Sequence, residues 1–207
     1  MIHHFFTLEG IHKKYNNSTK ANFYGKLKRQ AYRNAKQSNQ DIPLEALDVI
    51  ADEKLQELLG TLNSMKKMEL RFPENAFNTI LKRKLGLLDQ MTKQAVDIQK
   101  IGSGRGIIGA YKVLVEAYGH AAEEIQKFTP PGKSKEYVAS FQKSMLQVAS
   151  PLKQSAANYK QEGWKTIEEN KILSDFNYLL TPVPLDGMTV KYAYPAKGVS
   201  MDRSGKQ

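Results

Sequence analysis

Four stretches of this chain repeat their apolar residues at alternating steps of three and four, a period that selects amphipathic helix over strand. In the first, Leu44 to Leu70, the stripe is Ala51, Leu55, Leu58, Leu62 and Met65, widened by Leu47 and Met68. Polar Asp52, Glu53, Gln56 and Lys66 fall mostly off that face, as an amphipathic helix requires. Pro73 disfavours the α region at Phe72, so this helix is expected to stop near Arg71. The second stripe, from Pro73 to Lys100, is Phe77, Leu81, Leu88, Met91, Ala95 and Ile98, flanked by Ile80 and Leu85. Two such helices, each about 40 Å long at about 1.5 Å per residue, are expected to fold back on each other as an antiparallel hairpin. Near-heptad spacing favours shallow, coiled-coil-like crossing.

A glycine-rich break, Gly102 to Gly109, is expected to form a turn before the third helix. That helix runs from Ile107 to Phe128 on Ile107, Tyr111, Leu114, Tyr118, Ala121 and Ile125, and Thr129-Pro130-Pro131-Gly132 ends it. Ser134 is a suitable N-cap for the fourth, which aligns Tyr137, Phe141, Met145, Val148, Leu152 and Tyr159. Pro151 lies inside that pattern and predicts a kink near Gln147; Gly163 and Trp164 predict an end or a second bend. Residues 5–38 suggest one or two shorter helices broken at Asn16-Asn17-Ser18 and Gly25. After Ser174 the prolines and glycines suit an extended tail, with one period-two stretch at 189–194 and a mobile end over about the last eight residues. The expected fold is all-α: long antiparallel helical hairpins forming a bundle or a short irregular solenoid. Its divisions are a basic segment at 1–40, a long-helix body at 41–173 and a tail at 174–207.

A body of this kind needs no covalent staple, since hydrophobic residues make up 41% of the chain and charged residues 25%. Cysteine is absent, which excludes disulfides, thiolate metal sites and cysteine nucleophiles. The first residues show no secretory signal, and no apolar run is long enough for an ordinary spanning helix. Cytoplasm is the default, unless the chain is a piece of a longer, exported protein. The net charge of +10 is unevenly placed. Residues 1–40 carry Lys13, Lys14, Lys20, Lys26, Lys28, Arg29, Arg33 and Lys36 against one acid, Glu9. Those eight cations, with Arg105, are the candidate residues for an anionic partner. Tyr15, Phe23, Tyr24 and Tyr32 interleave with them, and aromatic faces beside cations suit a nucleic acid, while the same composition also suits an anionic membrane surface. The simpler alternative places the aromatics in the core and the charges in water.

No motif announces catalysis. Gly104-Arg105-Gly106-Ile107-Ile108-Gly109 matches the letters of a dinucleotide fingerprint, but it follows a helix rather than a strand. A turn is the favoured interpretation, with anion binding at the helix start, beside Arg105, the alternative. Gly132-Lys133-Ser134 resembles the end of a phosphate loop, yet Lys127 stands where a glycine is needed, so a helix cap is expected. His3, His4, His12 and His120 show no metal-binding spacing. Glu123-Glu124 and Glu168-Glu169 suit solvated helix faces. No cofactor, metal or catalytic residue is therefore expected, and the expectation is a non-enzyme.

Two stretches resemble tetratricopeptide-type helical repeats: Leu114-x-x-Ala117-Tyr118 with Ile125 and Phe128-x-Pro130, and Ala31-Tyr32-x-x-Ala35. They cover about a quarter of the chain and do not complete the usual repeat of about 34 residues. The resemblance implies a helical scaffold that binds other proteins along an exposed face. A non-enzymatic protein-binding scaffold is thus the leading expectation, and nucleic-acid or anionic-surface binding through the basic segment is its rival.

Overall fold

The computed structural model describes residues 1–181, and these contain helices and no strand. In chain order they are α1 (Ile2–Lys14), α2 (Ser18–Gln37), α3 (Leu44–Lys66), α4 (Glu74–Gln99), α5 (Gly104–Lys127), α6 (Lys135–Asn170) and α7 (Asn177–Leu180). The all-α fold built from long antiparallel helices is as expected, in its bundle form. The period-two stretch at 189–194 and the last eight residues lie outside the described residues.

Several helices start where the sequence supplies a partner for a free first-turn N–H group. The Asn17 side chain accepts from the Lys20 N–H at 3.1 Å, Ser103 from Gly106 at 2.9 Å and Ser134 from Tyr137 at 3.3 Å. Pro43 and Pro73 immediately precede α3 and α4. The first long helix ends at Lys66, a turn earlier than Pro73 suggests. Past it, the Leu70 N–H finds the Glu124 carboxylate rather than an intrahelical carbonyl.

Leu58, Leu62 and Met65 of α3 pack with Leu88, Met91 and Ile98 of α4 and with Val113, Ala117 and Ala121 of α5. The α3 and α4 stripes foreseen in the sequence and much of the α5 stripe form this core, whereas the α6 stripe stays half-buried, with Leu152 and Tyr159 packed against it and Ala156 buried in their place. Direction follows from which residues meet. Gly106 of α5 lies against both Ala51, near the start of α3, and Ile98, near the end of α4. The α3–α4 pair is therefore antiparallel, and α5 runs parallel to α3. Lys84 of α4 meets Glu124 of α5, while Tyr159 and Gly163 of α6 meet Tyr118 and Tyr111 of α5 in reverse order, so both α4–α5 and α5–α6 are antiparallel. Phe77, Phe128 and Phe141 close one end of the bundle, with ring centroids 4.8 and 5.2 Å from Phe77. The α1–α2 hairpin packs on the first half of α3, where Ile2 joins Ala46 and Ile50.

Glycine plays a different part from the one expected. Of the glycines at 102–109 only Gly102, at φ +87°, makes the turn, because that backbone conformation suits glycine best. Gly104, Gly106 and Gly109 lie inside α5. A Cβ on Gly106 would stand 2.5 Å from the Ala51 Cβ, and one on Gly109 would stand 2.6 Å from Leu55. Gly163 neither ends nor breaks α6; a Cβ there would meet Leu180 at 2.7 Å. Gly25 likewise stays within α2, leaving room for the Glu9 carboxylate.

Helix α6 is also continuous through Pro151. Pro151 and Gln147 are both exposed, so the carbonyl that loses its amide partner lies on the solvent side of the helix rather than in the core. A left-handed Lys171, at φ +53°, then ends the helix, with the Ile172 N–H returning to the Ile167 carbonyl at 3.2 Å. The extended tail expected from Ser174 begins instead with α7. No proline stands between Ser174 and position 182, and buried Leu180 anchors the turn beside Ile108 and Ile167.

Gly106→Ala should therefore destabilise the fold by about 1–3 kcal/mol, since α3 must move to admit the methyl group. Gly119, in the same helix with open space around its Cα, should behave oppositely: Gly119→Ala should stabilise by up to about 1 kcal/mol. Urea unfolding of the two variants measures both, and equal signs would disprove the close-packing role.

Candidate functional site

The basic N-terminal segment does not act as one patch. Lys28 is 3% exposed, and its Nζ lies 2.7 Å from Glu9 Oε2, 3.2 Å from Glu53 Oε2 and 5.6 Å from the Phe6 ring centroid. It is thereby withdrawn from any external anion. Lys13 joins the same cluster by pairing with Glu9 at 2.6 Å, and Arg29 pairs with the other oxygen of Glu53. These charges lock α1, α2 and α3 together. Burial pushes the Glu9 carboxyl up, but hydrogen bonds from Lys13 and Lys28 outweigh it and hold the group below its ordinary value.

Arg105 is committed as well. Its guanidinium pairs with Asp52 of α3 and donates to Asp175 at 3.1 Å, with the Phe176 ring 5.4 Å away. The Asp175 hydrogen bond raises its pKa further, and the Arg105 hydrogen bond in turn lowers that of Asp175. The arginine at the start of α5 thus fastens the segment before α7 to α3.

The remaining candidates divide between two surfaces. Lys14, Lys20 and Lys26 are exposed on the α1–α2 hairpin and make no ion pair among the described residues. Tyr15 and Phe23, 76% and 56% exposed, lie on the same hairpin. Arg33 and Lys36 instead face a groove of about 380 Å³ between α2, α3 and the end of α4. The structure adds two cations that the sequence pattern did not single out, Lys54 and Lys100. Arg29, Arg33, Lys36, Lys54 and Lys100 surround the groove, Glu53 and Asp97 interrupt them, and Tyr32, Ile50 and Ile101 supply its apolar surface. Lys54 is balanced by Glu57 at 2.7 Å and Lys100 by Asp97 at 3.1 Å, both exposed pairs that exchange readily with water. Arg33 has no ion-pair partner among the described residues, and Lys36 donates only to the Lys100 carbonyl at 3.3 Å. The groove therefore presents uncompensated positive charge beside half-buried apolar side chains.

A buried polar cluster lies at the far end of α3. Lys84 is wholly buried; its Nζ donates to the Met65 carbonyl at 3.0 Å and to Glu124 Oε2 at 2.5 Å. Glu124 also accepts from the Leu70 N–H at 3.3 Å, so it is a structural acid, contrary to the solvated face expected for it. The sequence did carry a signal for Lys84: it sits three residues after Leu81 and four before Leu88, in the one gap of the α4 stripe. His120 Nδ1 lies 3.7 Å from Glu124 Oε2, is itself buried and lacks a hydrogen-bond partner. Burial lowers its pKa; Glu124 opposes the shift, and Lys84 and Lys66 reinforce it.

Among the described residues no group of three or more His, Asp or Glu side chains is placed to hold a metal ion. None of their helices is long and apolar enough to cross a membrane. No family model, curated protein or solved structure matches this chain.

Two measurements test the Lys84 cluster. Lys84→Ala removes the buried cation and should cost about 3–5 kcal/mol of unfolding free energy, with Lys84→Met recovering part of that loss by refilling the cavity. For His120 the folded pKa is below the unfolded one, so its contribution is present above the ordinary histidine pKa. As the pH falls, the unfolded chain binds the proton first and stability declines. Between about pH 7 and about pH 5, the wild type should thus lose more stability than His120→Gln. Parallel pH profiles would overturn the assignment.

Proposed function

We propose that this chain is a non-enzymatic helical scaffold that binds another protein through the α2–α3–α4 groove. The observation that carries this reading is the composition of the groove itself. Two distant parts of the sequence, 29–36 and 97–101, meet on α3 to surround an apolar surface with cations, two of which lack a compensating carboxylate. Apolar surface supplies affinity on burial, while a charged rim selects the partner and accelerates encounter. The resemblance to tetratricopeptide-type repeats points the same way. The residues that carry it in α5, Leu114, Ala117, Tyr118 and Ile125, face the core, so on this reading they build the scaffold while the groove binds.

A second reading rests on the exposed aromatics of the α1–α2 hairpin. Tyr15 and Phe23 stand exposed among Lys14, Lys20 and Lys26, an arrangement suited to stacking bases while phosphates pair with lysines. The two readings use different residues and separate cleanly. A photo-crosslinking side chain at Arg33 should capture a protein from the native extract, and the same group at Phe23 should not. If instead the Phe23 probe alone captures a partner and that partner is nucleic acid, the scaffold reading fails. In a salt titration on single-stranded nucleic acid, removing Lys14, Lys20 and Lys26 should flatten the log–log slope by about 0.7 for each phosphate no longer neutralised, if the second reading holds. The scaffold reading expects no such binding.

A further inference from the structure

The chemistry of the groove narrows the partner. Its walls are helices whose backbone groups are bonded within themselves, so an extended segment would find no strand edge to join. Its floor offers Tyr32 and Ile101, both half-buried, above buried Ile50. Its cations stand on more than one side: Arg33 and Lys36 on α2, Lys54 on α3 and Lys100 at the end of α4. A helix meets that pattern, because positions i and i+4 stack on one face and carboxylates can flank a central apolar residue. A polyphosphate chain meets it poorly. Glu53 and Asp97 line the groove and would repel a continuous line of charge.

We infer that the groove takes an acidic amphipathic helix of a partner protein. One large apolar side chain rests on Tyr32 and Ile101, and flanking carboxylates pair with Arg33, Lys36, Lys54 and Lys100. This rests on the scaffold reading and names the partner's chemistry. Binding such a helix exchanges the weak exposed pairs Lys54–Glu57 and Lys100–Asp97 for contacts shielded by the apolar anchor. Arg33 and Lys36 gain partners without giving up any ion pair.

The test uses the whole chain and a labelled, capped peptide of about 18 residues, long enough to hold helix, with Glu on both sides of a Leu stripe at i and i+4 spacing. Anisotropy at low salt should show saturable binding. Arg33→Glu with Lys36→Glu should weaken it by about tenfold or more, while Lys14→Ala, Lys20→Ala and Lys26→Ala together leave it unchanged. Replacing the peptide's leucines by glutamine should weaken it by about fivefold or more, because the apolar anchor is gone. Lys36 is exposed and Arg33 pairs with no carboxylate, and Arg33→Gln with Lys36→Gln provides a milder variant should the reversal alter the melting curve. Equal binding of a scrambled peptide with the same composition would overturn the inference, as would equal binding by the wild type and both groove variants. Tighter, Arg33-dependent binding of an oligothymidylate would overturn it in favour of nucleic acid. If the peptide fails while the Arg33 crosslinker captures a protein, the partner's chemistry is wrong and the scaffold reading stands. If both fail, both are overturned.

Discussion

The contact between α3 and α5 sets the arrangement of everything else. These two helices run parallel, and parallel neighbours in a chain must be separated by a returning element, here α4. For α4 to pack against both, α3 and α5 must come close enough to share one core, and Gly106 and Gly109 permit it by presenting bare backbone to Ala51 and Leu55. The contact continues through Ala110, Val113 and Ala117, whose short side chains keep the approach close along the next two turns. With one side of α5 closed against α3 and α4, its other side is left for α6. Gly163 repeats the device there by admitting Leu180 and Tyr111. At each of these crossings a small residue stands where one element must pass close to another.

Charge fixes what close packing leaves loose. A buried ion pair adds little net stability over an apolar pair, because desolvation offsets most of the attraction, but a wrong arrangement leaves a charge stranded. Lys84 can be satisfied only when the end of α3 supplies the Met65 carbonyl and α5 supplies Glu124, which ties the register of three helices at one point. Lys28 does the same at the opposite end for α1, α2 and α3, through Glu9 and Glu53. The apolar contact of the α1–α2 hairpin with the body is a small cluster around Ile2, Ala46 and Ile50. Electrostatic registration therefore matters more there than in the central bundle.

The helical stripes were legible because periodicity is local: Leu55, Leu58 and Leu62 announce a face without knowledge of what covers it. Caps were legible for the same reason, and Ser134 lies where its spacing placed it. The roles of single residues at long-range contacts were not. Gly106 looks like a turn residue until Ala51, more than fifty positions away, is brought against it. Glu124 looks solvated until Lys84 arrives from another helix. Lys28 looks like one more cation in a basic run, and only the fold shows that Glu9 has claimed it. The gap at Lys84 in the α4 stripe was visible, but a break in a pattern does not say what fills it.

The pairing of Lys28 with Glu9 changes what the net charge means for function. A formal excess of seven positive charges over residues 1–40 suggests a broad field that would attract any polyanion. The fold divides it. Lys13, Lys28 and Arg29 are consumed in holding α1 and α2 to α3, so their charge is largely cancelled by Glu9 and Glu53 before it reaches solvent. Lys14, Lys20 and Lys26 remain on the outer hairpin, and Arg33 and Lys36 turn toward the groove with Lys54 and Lys100. Two modest local fields replace one large one, and at physiological salt a field reaches only about 8 Å. A partner is then selected by what lies between the cations, and in the groove that is Tyr32, Ile50 and Ile101: apolar surface that rewards a ligand with an apolar face.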